Sequence, residues 1–112
     1  MSEDSETLAE LMLHADQFCS KVEEATKDVG PIAEQDELRI KIGQIRNQLA
    51  QLQEIFDDGK LSIENPRVRA EFRHLVIALL WIAFYARTAI DFRIFRMLVR
   101  IESGFTYLLV SR

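Results

Sequence analysis

Apolar residues recur at alternating steps of three and four along the first quarter of the chain: Leu8, Leu11, Ala15, Phe18, Val22, Ala25 and Val29. A helix turns about 100° per residue, so this spacing lines one face and marks an amphipathic helix with a single buried stripe. It predicts a flexible 1–4 followed by a helix over 5–29, with Asp4 or Ser5 capping the first amides and Gly30-Pro31 ending it. Leu38, Ile42, Ile45, Leu49, Leu52 and Phe56 repeat the alternation and predict a second helix over 32–58. Two coiled-coil-like stripes joined by a tight Gly-Pro turn form an antiparallel hairpin. Glu23 with Lys27 and Glu37 with Lys41 stand four apart, acid first, the order that supports a solvent-facing helix. Gly43 interrupts the second helix, at about 1 kcal/mol relative to alanine, and marks either a close crossing or a tolerated defect.

Gly59 suits the left-handed position after a helix, and Asn65-Pro66 pairs a cap residue with the residue best tolerated at the first helical position. A third helix begins there. No glycine or proline follows until Gly104, so it is predicted over 66–103, about 55 Å if unbroken. Its middle, HLVIALLWIAFYA, is apolar on nearly every side, and FRIFRMLVR then mixes arginine with aromatics. Leu75, Leu79, Ile82 and Ala86 form one stripe; Trp81, Tyr85, Phe92, Phe95 and Val99 form another. Two stripes need two covers. Arg69, Arg73, Arg87 and Asp91 share a face, whereas Arg93, Arg96 and Arg100 fall nearly opposite, so the polar face flips near 88–92. Either the chain bends there, with Asp91 capping a fourth helix, or a continuous helix crosses between packing environments. The absence of a breaker residue favours continuity. The remaining 104–112, apolar and short, is expected to dock as a last turn or extended tail.

The fold class expected is all-α: one domain over 1–112, a helical hairpin packed on a long C-terminal helix, three to four helices in all. The hairpin covers one stripe of the long helix. A second copy is the commonest cover for the other, so a homodimeric helical bundle is expected.

Composition sharpens this picture without naming a chemistry. Four glycines, two prolines and 29% charged residues in 112 describe a chain that folds. Cys19 is the one cysteine, which excludes an internal disulfide and a metal site built on paired cysteines. The N-terminus is acidic where a leader would be basic, and the uncharged run Leu75 to Ala86 lies between Arg73 and Arg87, short of the roughly twenty residues of a membrane span. A cytoplasmic location, or a nuclear one in a eukaryote, is expected. From Met1 to Glu64 the balance is fifteen acidic against six basic residues, and from Asn65 to Arg112 it is three against eight, all eight arginine. Packing of the acidic half on the basic half, within one chain or across a dimer, is the simplest expectation.

Candidate chemistry is sparse. Trp81, Tyr85, Phe92, Phe95 and Val99 are the expected dimer or partner interface. Arg93, Arg96 and Arg100 form a basic ridge able to meet carboxylates or phosphates. The six residues RAEFRH, Arg69 to His74, resemble the Arg-x4-His motif of the HEPN family of small helical ribonucleases and toxins, with Ala70 where that family often has a polar residue. The resemblance implies that Arg69 and His74 act on RNA at a dimer interface. His14 lacks a second ligand at useful spacing, and Cys19 lacks a histidine to activate it. No catalytic residue, metal or cofactor is expected. The function read from the residues is a non-catalytic helical protein-interaction module, a small adaptor, inhibitor, immunity or chaperone-like regulator. A nucleic-acid-binding dimer using the arginine ridge is the alternative, and a HEPN-like ribonuclease a remote one.

Overall fold

The computed structural model describes residues 3–30 and 32–110, with 3 and 4 described by their backbone alone. Among the described residues four helices follow one another: α1 (Glu3–Val29), α2 (Gln35–Asp57), α3 (Pro66–Tyr85) and α4 (Phe92–Val110). Each packs on its neighbours in an up-down-up-down ring, chiefly α1 on α4 and α2 on α3, with smaller contacts between α1 and α2 and between α3 and α4.

The first two stripes fold as the spacing predicts except at their ends, where Ala25 and Phe56 are half-buried and Val29, in the last turn of α1, is 54% exposed. Leu8, Leu11, Ala15, Phe18 and Val22 of α1 are buried, as are Leu38, Ile42, Ile45, Leu49 and Leu52 of α2. Their ends shift slightly. Glu3 and Asp4 are already helical, so Ser5 lies within the first turn, not at its cap, and is buried. Met1, Ser2 and Pro31 lie outside the described residues, while Gly30 takes φ +85°, the left-handed conformation that ends α1. Arg46 closes the hairpin from α2, with ion pairs to Glu23 at 2.8 Å and Asp16 at 3.6 Å on α1. These groups are solvated, so they orient the helices more than they stabilise them. Beyond α2, Gly59 adopts φ +72°, and the Asn65 side chain accepts the Arg67 amide at 3.0 Å ahead of Pro66, as predicted. The connecting loop also buries Leu61 and Ile63 in the core.

The long third helix does not exist. α3 ends at Tyr85, residues 86–91 form a turn, and α4 reverses onto α1. The turn is held by Ala86 O, which accepts the Ala89 and Ile90 amides at 2.9 and 3.1 Å. Asp91 then caps α4: its carboxylate accepts the Ile94 amide at 3.0 Å and its carbonyl accepts Phe95 N–H at 3.0 Å. No glycine or proline is required, because burial drives the bend. Leu98, Ile101, Phe105 and Leu108 are buried, and each would contribute about 1.5–3 kcal/mol on leaving water. A straight helix would keep a few extra backbone hydrogen bonds worth about 1 kcal/mol each. Folding back wins.

Gly104 is likewise inside α4 rather than at a helix end, and the expected tail 104–110 continues the helix; 111 and 112 lie outside the described residues. A Cβ on Gly104 would stand 2.8 Å from Leu11 Cδ2, so this glycine permits the close approach of α4 to α1. Gly43, by contrast, faces open space and marks no crossing.

Asp91→Ala is expected to lower stability by about 1 kcal/mol, with Asp91→Asn retaining most of it. Chemical denaturation checks this, and an unchanged Asp91→Ala midpoint would remove the cap from the account.

Candidate functional site at the α3/α4 corner

The inner and outer faces of α3 divide as the two stripes imply. Leu75, Leu79, Ile82 and Ala86 are fully buried. The outer face of its second half keeps Ile77, Leu80, Trp81 and Phe84 between 44 and 52% exposed. On α4, Phe92 is 73% exposed and Phe95 and Val99 remain exposed beside them. Tyr85 is half-buried. Of the expected interface residues, Phe92 and Phe95 meet Leu80 and Phe84 across the Asp91 turn, whereas Trp81, Tyr85 and Val99 do not line the groove these four form.

A groove of about 490 Å³ runs between the two helices at this corner, floored by Leu80, Ala83, Phe84, Ile90, Phe95 and Leu98, with Phe92 on its wall. Its end carries Arg87 and Asp91. Arg87 lies over the Phe84 ring, 4.6 Å from its centroid, and donates to Phe84 O at 2.8 Å. Trp81 packs edge-on to Phe84 with centroids 6.0 Å apart and lies 5.8 Å from Tyr85, so the two rings outside the groove brace the Phe84 ring that lines it. A second groove, between α1 and α2, includes Asp16 and Arg46 in its lining. Its lining is otherwise largely apolar, from Met12, Leu13 and Leu49, but it holds no aromatic side chain, and Arg46 is paired there with Asp16 and Glu23.

Arg93, Arg96 and Arg100 are exposed on the other flank of α4. Their spacing of three and four places them along about 10 Å of helix. The acidic half does not neutralise them, contrary to the simplest expectation. Arg87 and Glu34 make an ion pair at 3.6 Å across the two halves, but none of the three ridge arginines has a carboxylate within ion-pair distance among the described residues. Arg96 instead lies over the Phe92 ring at 5.8 Å. The acids of α1 that do form ion pairs turn toward Arg46 and Lys21.

The remaining candidates stay apart. Arg69 and His74 stand five residues apart on α3, about 140° around the helix. His74 lines an open polar groove with Gln44, Gln48 and Glu71, and Arg69 does not. Gln48 donates to both the carbonyl and the carboxylate of Glu71 at 2.9 Å there. His14 is exposed on α1. Among the described residues no group of three His, Cys, Asp or Glu side chains is placed to hold a metal ion. No helix of the described residues is long and apolar enough to cross a membrane.

Cys19 is buried, and burial pushes its thiol from 9.0 up to about 12. The unfolded thiol ionises near 9 and the folded one only near 12, so the stability tied to this group is intact below pH 9 and falls as pH rises toward 12. Slow alkylation of the native protein, rapid alkylation in denaturant, and a shallower alkaline stability loss in Cys19→Ala are expected; fast native alkylation would show that the thiol is accessible.

No family of known proteins, no curated protein and no solved structure matches this chain.

Proposed function

We propose that this chain is a non-catalytic helical protein-interaction module, a small adaptor, inhibitor, immunity or chaperone-like protein, whose docking surface is the α3/α4 corner. The observation that carries the reading is the exposure of Leu80, Phe84, Phe92 and Phe95 along one apolar groove, with Ile77, Trp81 and Val99 exposed on the same two helices. Scattered apolar residues are ordinary on protein surfaces, but a concentrated patch of large ones rimmed by charge is what interfaces have. Trp, Phe and Arg are also the side chains that recur in the core of such contacts.

The homodimer expected from the sequence rested on a stripe without a cover. Within the chain Trp81, Phe92, Phe95 and Val99 of that stripe stay exposed and Tyr85 half-buried, which leaves the corner as the apolar area for a second copy or a different protein to bury. A nucleic-acid-binding dimer is the second reading, favoured by the unneutralised Arg93, Arg96 and Arg100. It draws nothing from the apolar groove, so protein docking accounts for more of the surface.

A photo-crosslinking phenylalanine analogue at position 92, introduced in the source cells, tests the reading. A discrete protein adduct, absent when the analogue replaces Gln44 on α2, is expected. Nucleic-acid adducts alone, or equal protein adducts from both positions, would overturn it.

A further inference from the structure

We propose that the occupant of this corner is an acidic amphipathic helix of another protein, a proposal that rests on the docking reading above and adds the chemistry of the partner. Shape is the first argument. The surface is concave, between two helices, with apolar side chains on its floor and wall; a helix laying its apolar face into such a groove is a recurrent recognition mode, whereas a flat lipid surface leaves the floor unfilled.

Charge is the second. Arg93, Arg96 and Arg100 repeat every three to four residues along the flank of α4, and a partner helix presents carboxylates at the same interval. An antiparallel or parallel helix seated over Phe92, Phe95 and Val99 thus brings one row of Glu or Asp onto the ridge while its apolar row enters the groove. Arginine suits this contact because its planar fork holds a carboxylate bidentately. The ridge is also free to do so, having no carboxylate within ion-pair distance among the described residues.

The same arithmetic disfavours a second copy paired corner to corner about a twofold axis. Each copy brings Arg93, Arg96 and Arg100 along the flank of α4 beside the corner, while Arg87 is already paired with Glu34 and the Asp91 carboxylate in the groove lining already receives the Ile94 amide. Like charges brought together across an interface suppress the pairing. A foreign acidic helix meets the arginines with opposite charge instead.

Three designed helical peptides of about five turns, sharing one Leu/Ile stripe and differing only in a flanking row of Glu, Gln or Lys, test the proposal by fluorescence anisotropy with the purified chain. Tightest binding by the Glu peptide is expected, about tenfold or more over the Lys peptide and weakened by salt. The Arg93→Glu/Arg96→Glu/Arg100→Glu variant is expected to invert that order, and Phe92→Ser to weaken all three peptides. Thermal melts verify that both variants are folded, and all these positions are exposed. No binding of any peptide, equal affinities, or an order unchanged by charge reversal would overturn the proposal. Tighter binding to anionic vesicles or duplex DNA than to the Glu peptide, with the same sensitivity to the variants, would overturn it in favour of those ligands. Dimerisation of the pure chain that Phe92→Ser abolishes would also overturn it, yet leave the docking reading standing. A crosslinked partner with no acidic helix would do the same.

Discussion

Replacing Phe72 with alanine is expected to destabilise the protein by about 3–5 kcal/mol, a fall in melting temperature of about 15 °C for a chain this size. Phe72 is 1% exposed and among the largest fully buried side chains. Its ring stacks on Phe105 at 5.6 Å between centroids, tilted by 20°. Removing it leaves a cavity where α3 meets α4, and a ring of four packed helices has little freedom to collapse into it. The loss is a large share of the 5–15 kcal/mol that stabilises an ordinary domain. Phe72→Leu is expected to cost clearly less. A double-mutant cycle with Phe105→Ala makes the experiment specific to the fold: a coupling of about 0.5–1.5 kcal/mol is expected for stacked rings. On one continuous helix these residues would be about 50 Å apart and would not couple. Strictly additive losses would contradict the folded-back α4.

The second large effect concerns binding. Phe92→Ser/Phe95→Ser is expected to weaken the interaction with the partner found by crosslinking by about a hundredfold or more, since two exposed aromatics beside a groove fit the description of interface hot spots worth about 2 kcal/mol or more each. Stability should hardly change. Phe92 is 73% and Phe95 48% exposed, so neither contributes much to the core, and surface substitutions of this kind stay within about 0.5 kcal/mol. Isothermal titration and thermal melts on the same samples separate the two outcomes. Full affinity in the double variant would remove the corner as the docking surface; a large drop in melting temperature would mean that the side chains belong to the core.

Where the fold was legible, periodicity made it so. The stripes of α1 and α2 each run through several turns on one packed side, and Asn65-Pro66 and Gly59 carry backbone chemistry that allows few alternatives. The bend at 86–91 was harder to read because it is set by competition rather than by a breaker. Asp91 offers a cap only if the helix stops, and it stops because Leu98, Ile101, Phe105 and Leu108 gain more against α1 than a straight helix gains in hydrogen bonds. That inner stripe, at steps of three, four and three, was present as a signal. Gly104 obscured it by resembling a terminator while serving a close helix contact. Leu61 and Ile63 lie in a loop too short for any period, so their burial had no pattern to announce it.

The candidate site was half legible. Trp81, Phe92, Phe95 and Val99 stand out as a second apolar stripe, and their exposure follows once the first stripe is buried. The groove itself depends on the angle between α3 and α4, which brings Leu80 and Phe84 opposite Ile90 and Phe95; no linear spacing encodes that angle. The separation of the arginine ridge from the acidic half was also hidden, since net charge per half ignores which way each helix turns its carboxylates. Charge reversal along Arg93, Arg96 and Arg100 therefore probes something that composition alone does not reveal.

Titrating the isotope-labelled chain with the crosslinked partner, and following backbone amide shifts by NMR, shows whether a protein docks at the α3/α4 corner. Perturbations concentrated on residues 77–99, with the solvent faces of α1 and α2 silent, are the result the account requires. Perturbations concentrated on α1 and α2, with Leu80, Phe84, Phe92 and Phe95 unmoved, would contradict it.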